Sequence, residues 1–255
     1  MTAPSWLAFE VLGVTLLATV AVLAGMNRVA VRARWSDRDR LTVTRAAVLA
    51  LATWFVAAVV LSAIGFYTTT DVQVPRLPIA LLPAVFGAVF LARSKALARL
   101  LEAAPQSWLV GVQAYRVVGV SFLVLWASGY LPAVFALPAG LGDVTVGLLA
   151  VIVSRVASQR RGAPAWLVGA WNVLGLVDFT AAFATGFLSV PTLVHPVAPD
   201  HSSILITMFP LALIPTYLVP LSILLHVASL TKLARERSSR RPGREPFHVA
   251  GPAAG

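Results

Sequence analysis

Seven predominantly apolar stretches divide this chain, at roughly 5–26, 43–66, 77–93, 107–130, 132–153, 164–188 and 203–231. An α-helix rises about 1.5 Å per residue, so about 20 apolar residues cross a hydrocarbon core of about 30 Å. The pattern predicts an all-α fold, a polytopic transmembrane bundle of seven helices within residues 1–232. Residues 233–255 are rich in Arg, Ser, Pro and Gly and read as a disordered basic tail. Between the spans, 27–42 is a basic connection and 67–75 a short loop carrying Asp71. Segment 94–104 has the pattern of a short amphipathic helix on the membrane surface, with Leu97, Leu100 and Leu101 facing lipid. The connection 189–202 holds Pro191, Pro196 and Pro199 beside Asp200. Trp6, Trp108, Trp166, Tyr67 and Tyr130 fall near span ends, at the headgroup level that amphipathic rings prefer.

Composition agrees with this reading. Only 12% of residues are charged and mean hydropathy is +0.84, whereas a soluble domain carries about 25% charged residues. A net charge of +10 could suggest nucleic acid, but its distribution excludes that reading. Of 20 Lys and Arg residues, 18 lie on alternate connections or on the tail. Arg76 alone falls on the opposite side, and Arg116 lies inside a span. Basic residues concentrate on the cytoplasmic side of membrane proteins, so the N-terminus is expected outside and the C-terminus inside, in the cell's inner membrane. The first apolar run has no basic residue before it and Arg28 after it, the charge order of a retained helix. The expected surroundings are a lipid bilayer, and the basic tail could attract anionic headgroups.

The chain has no cysteine, which excludes disulfides, thiolate metal sites and a cysteine nucleophile. No HExxH, Ser-His-Asp or paired-histidine haem pattern occurs, and no cofactor, metal or catalytic residue is assigned. A retinal Schiff base would need a lysine within a span, and the only lysines are Lys95 and Lys232. His195 and His201 could bind zinc only with further ligands such as Asp200. Glu10 is expected near the outer headgroups.

The informative positions are polar side chains inside spans, where lipid offers no water. Gln113 and Arg116 share a face of the fourth span. Asp143, in the antiparallel fifth span, should reach a similar depth, so Arg116 is expected to face inward and pair with Asp143 or Asp178. Asn172 and Asp178 are six residues apart, a spacing read as roughly opposed faces of the sixth span, one toward the cluster and one toward a different helix. Such a cluster is either a satisfied ion pair that fixes packing or a binding site for a solute, ion or proton. Pro138, Gly140 and Gly142 precede Asp143 and permit either a helix break that opens backbone to a cavity or a kink with close small-residue packing. Pro210, Pro215 and Pro220 should each free a carbonyl in the seventh span. His226, placed near that span's inner end, is a possible proton relay or an interfacial histidine whose hydrogen bonds are met.

Two weak internal matches suggest parallel repeats of spans 1–3 and 5–7. Arg28-Val29-Ala30 corresponds to Arg155-Val156-Ala157, and Pro78/Pro83 to Pro210/Pro215. Helix number and this repeat give a likeness to sugar transporters of the seven-helix, 3+1+3 type. Their Pro-Gln motif is not matched, since Pro105-Gln106 occurs once and precedes a span.

The stretches Gln113-x-x-Arg116, 131–143, Trp171-Asn172-x-x-Gly175-x-x-Asp178 and Phe209-Pro210 through His226 resemble a set of uncharacterised bacterial multi-pass membrane proteins over about residues 105–233. The resemblance implies an integral membrane protein and supplies no activity. The function expected is small-solute or proton-coupled transport, with Gln113, Arg116, Asp143, Asn172 and Asp178 at the site of a small-molecule ligand. An intramembrane enzyme or a ligand sensor is the alternative.

Overall fold

The computed structural model of the protein describes residues 4–68, 76–189 and 203–239. Asp71, Pro191, His195, Pro196, Pro199, Asp200 and His201, and the expected tail beyond 239, lie outside these residues.

The described chain is an all-α bundle. Helix α1 spans Ser5–Arg32 and α2 spans Asp37–Ala63, begun by Ser36, whose hydroxyl accepts from the Asp39 amide at 3.1 Å. A 3-10 turn, Leu77–Leu81, leads into α3 (Leu82–Arg93), followed by α4 (Lys95–Ala103). The next span is composite: α5 (Gln106–Gly111), a 3-10 stretch (Val112–Gly119) and α6 (Val120–Ala127). Helices α7 (Ala133–Ala157) and α8 (Ala165–Leu188) follow, then a 3-10 turn at Ser203–Thr207, a π-helical turn at Ile214–Leu218 and α9 (Val219–Ser239).

Six helical segments are long and apolar enough to cross a membrane: α1, α2, Gln106–Ala127, α7, Ala165–Phe187 and Ile214–Ser238. The protein is thus multi-pass. The third expected span is different. Leu77–Arg93 qualifies only together with α4, and the two are bent by 86° at Ser94. At about 1.5 Å per residue, 77–93 reaches about 25 Å, short of a full core.

Several expectations change here. Leu100 and Leu101 on α4 face protein, packed with Val29, Ala30 and Leu109, because the 86° bend lays α4 across the end of α1. Tyr67, just past the end of α2, has its ring buried against protein. Trp6 and Trp166 remain exposed as anchors would be, but Trp108 packs its ring against Gly25. Helix α7 runs unbroken through Pro138, which lies past the first turn and so leaves the Val134 carbonyl without its usual helical donor. The glycines after it serve close packing: a Cβ on Gly140 would meet Leu123 at 2.6 Å. The last helix continues to Ser239, past the boundary set at 232, with Lys232 donating to the Glu102 carbonyl at 2.9 Å.

Departures from α-helix occur instead in the fourth and seventh spans. Pro220 cannot donate to the carbonyl of Thr216, and that carbonyl takes the Trp54 indole N–H at 3.1 Å. The carbonyl of Leu218 accepts from the Tyr115 hydroxyl at 3.3 Å. The suggested repeat is not matched in backbone: Pro83 opens an α-helix, whereas Pro215 lies in a π-helical turn. Packing is unequal too, since α7 buries nine residues and α2 only Ala58 and Ser62.

Candidate functional site

The fourth, fifth, sixth and seventh spans meet around Arg116. It lies ten residues past Gln106 in a segment ending at Ala127, and Asp143 lies ten residues past the start of α7. Equal depths in antiparallel helices bring the two together: Arg116 Nε donates to Asp143 Oδ1 at 2.8 Å. Arg116 Nη2 donates to Asp178 Oδ2. The guanidinium is 2% exposed and its Cζ stands 3.9 Å from the centroid of the Phe179 ring, a stacked cation–π placement. The expected pairing with one carboxylate or the other is in fact pairing with both.

The third edge of the guanidinium faces a histidine. Arg116 Nη1 and His226 Nε2 are 3.2 Å apart. Guanidinium nitrogens only donate, so Nε2 accepts and the imidazole proton sits on Nδ1. From there it donates to Asn172 Oδ1 at 2.8 Å. The Asn172 amide nitrogen donates onward to the Val168 carbonyl at 2.8 Å and to Ser229 Oγ at 2.9 Å. Gln106 Nε2 donates to the same Ser229 hydroxyl. A continuous line of side chains therefore runs from Asp143 and Asp178 through Arg116, His226, Asn172 and Ser229 to Gln106, toward the basic end of the bundle.

His226 is fully buried in the middle of the bundle, a correction to its placement near a span end. The seventh span begins at Ile214 and continues to Ser238, which puts His226 about halfway along. Trp171 and Phe179 pack on its ring, with centroids at 4.9 and 6.1 Å. The opposed-face reading of Asn172 and Asp178 also needs correcting. Six residues at about 100° each leave them about 120° apart, and Gly175 lies between them. A Cβ there would collide with the His226 ring and come within 3.0 Å of Arg116 Nη1. Asn172 meets the seventh span, Asp178 meets the fourth, and His226 and Arg116 link them in series.

Gln113 is fully buried one turn before Arg116, yet neither atom of its amide has a hydrogen-bond partner among the described residues. It is the one sequence-expected site residue that the network does not take in. Glu10 reaches into the bundle, where its Oε1 accepts from Ser121 at 2.7 Å.

One cavity reaches the cluster at Asp143, and a second lies at the opposite end of the bundle, beside Gln106. Toward the end bearing Tyr67, Leu77 and Thr207 lies an apolar cavity of about 80 Å³ whose only charged lining residue is Asp143. At the basic end a polar cavity of about 520 Å³ is lined by Gln106, Arg161, Lys232 and Glu236 among others. Among the described residues no three His, Asp or Glu side chains gather as a metal-ligand set.

The sequence reasoning missed the close-approach glycines. A Cβ on Gly119 would collide with Asp143, and one on Gly142 with Asp178 Oδ1. It also missed Ser229, although that residue stands three after His226, on the same helical face.

Residues 74–234 match the family described as a domain of unknown function (DUF8737). No curated protein and no solved structure matches the chain. The matched segment is well over half of the chain and includes every residue of the Arg116 network, from Gln106 to Ser229; the protein belongs to this family of unknown function.

Proposed function

We propose that the protein is a transporter of the cell's inner membrane that moves a small solute through the mid-membrane site. It acts with seven spans, the N-terminus outside and the C-terminus inside. In this reading the solute exchanges with a proton held on the carboxylates. The carrying observation is a charge count. Asp143 and Asp178 share one guanidinium, His226 accepts from that guanidinium and is neutral, and no second cation contacts either carboxylate among the described residues. An uncompensated charge is costly inside a bilayer. One carboxylate is therefore neutralised by a proton or by a cationic group from a ligand, and these alternatives exclude each other. Mutual exclusion at one group is the chemistry of exchange. The aromatic cavity reaches the site at Asp143 and the polar cavity meets the far end of the hydrogen-bonded line at Gln106; alternating access would extend the second along that line. Gln113, with an unpaired buried amide, offers a donor and an acceptor that a solute could satisfy.

The test uses purified protein. Solutes are screened for thermal stabilisation in detergent, since a ligand of the native state raises apparent stability. Hits are followed for flux in proteoliposomes, with and without a pH gradient. Uptake driven by the gradient in the parent, and lost in Asp143→Asn, is expected. Binding with no flux would replace transport with a sensing role, and a chemically altered product would replace it with an enzyme.

A further inference from the structure

We propose that the cavity ending on Asp143 receives a small alkylammonium group, so that the solute class is a hydrophobic cation. The proposal builds on the transport reading but concerns binding, and the two are tested apart.

The walls of the cavity carry Tyr67, Phe122, Phe135, Phe179, Phe183 and Phe187, and its one charged residue is Asp143. Arg116 engages only Oδ1 of that carboxylate; Oδ2 has no hydrogen bond among the described residues. The cavity thus combines aromatic walls with a carboxylate that has unused acceptor capacity. Four ligand classes can be weighed against this. An anion would meet the Asp143 carboxylate with no cation in the lining. A neutral apolar molecule would suit the walls but leave the carboxylate charge unanswered. A small inorganic cation would surrender its hydration to a lining with few oxygens, a loss that apolar walls do not restore. An alkylammonium meets both requirements: its carbons fit the apolar walls, ring faces attract its charge, and the carboxylate neutralises it.

Size narrows the class further. A cavity of about 80 Å³, where one water needs about 10–15 Å³ on the same measure, admits a compact head of about five heavy atoms. Longer substituents would have to extend through the mouth. Aromatic cages recognise quaternary ammonium groups in this way.

The probe is tetramethylammonium chloride, with tert-butanol as a neutral counterpart of similar shape and sodium chloride as the ionic-strength control. Binding to the purified protein is measured by calorimetry and by thermal shift. Saturable binding of tetramethylammonium is expected, at least tenfold tighter than tert-butanol, and weakened at least tenfold in Asp143→Asn. Because Asp143→Asn also disturbs the Arg116 cluster, Phe183→Leu provides a separate reading. It should weaken tetramethylammonium by about three- to tenfold, the scale of one lost ring face, and leave tert-butanol unchanged. Phe86→Leu, on the outer surface of α3, should change neither. Equal affinity for the two probes, no binding of tetramethylammonium, or an unchanged affinity in Phe183→Leu would overturn the proposal. Selective binding without flux in proteoliposomes would remove transport and leave the ammonium site. Flux of another solute that tetramethylammonium does not inhibit would do the reverse.

Discussion

Arg116 and His226 meet at 3.2 Å across the bundle interior, and only the histidine can accept in that contact. The imidazole is therefore held as the Nδ1–H tautomer, with Asn172 Oδ1 receiving the proton's hydrogen bond at 2.8 Å. Protonating Nε2 would set donor against donor beside a fixed positive charge. In this arrangement His226 positions the guanidinium, and it could carry a proton only if the Arg116 contact opened.

The tautomer is directly measurable. In protein labelled with nitrogen-15 at histidine, the His226 ring should give one protonated and one unprotonated nitrogen, with the proton on Nδ1. Asn172→Leu removes the acceptor for that proton and should shift the signal or broaden it. A doubly protonated ring at neutral pH would contradict the assignment and restore His226 as a resident proton carrier.

Removing the guanidinium leaves two buried carboxylates without their shared partner. Loss of one member of a buried ion pair costs about 3–5 kcal/mol, and Arg116→Ala should fall in that range. Arg116→Lys should rescue little, because a single ammonium cannot present separate edges to Asp143, Asp178 and His226. In double-mutant cycles, Arg116 should couple to both Asp143→Asn and Asp178→Asn by more than 0.5 kcal/mol, the lower edge of what contacting residues give. Additive effects with either aspartate would remove that contact from the site.

The glycine contacts give a test independent of charge. A methyl group on Gly142 would collide with Asp178, and one on Gly175 with His226. Overpacking a tight interior typically costs about 1–3 kcal/mol, so Gly142→Ala and Gly175→Ala should lower thermal stability and disturb ligand binding together. Gly13→Ala is the control, because no heavy atom lies within 4 Å of the added carbon. Stability equal to the parent in all three would mean that spans 4–7 do not approach as closely as described.

Much of this site was legible because lipid makes buried polar residues conspicuous. Arg116, Asp143, Asn172, Asp178 and His226 stand out against apolar spans, and matching depths in antiparallel helices follow from residue counts. Three-dimensional direction was harder to read. Asn172 and Asp178 face about 120° apart, yet both join one network because His226 and Arg116 link them in series. The aromatic cavity was not legible at all. Its six rings come from the segment after α2 and from the fourth, fifth and sixth spans, and scattered phenylalanines in apolar helices look like lipid-facing residues until packing brings them together. Nor was the direction of Leu100 and Leu101, which depends on the bend at Ser94.

That bend leads to the last prediction, which concerns the number of crossings. If 77–93 spans the membrane, the chain crosses seven times and its ends lie on opposite sides. If the segment with α4 is re-entrant, six crossings leave both ends on one side, and the connections before and after it share a compartment. Reporter fusions near Asp71 and after Leu101 separate these cases. The positive-inside pattern predicts an external signal at Asp71 and a cytoplasmic one after Leu101, with fusions after Arg40 and Arg161 also cytoplasmic and one near Pro199 external. The basic cluster Arg93, Lys95 and Arg99 supplies the physical reason. Three cations beyond a short apolar segment are held on the cytoplasmic side, and a hydrophobic stretch of about 25 Å can be accommodated by local thinning at modest cost. Matching signals at Asp71 and Leu101 would make 77–103 re-entrant and reduce the protein to six crossings. The site formed by spans 4–7 would survive that result, but its two cavities would then have to be reassigned to sides from the fusions after Arg161 and near Pro199.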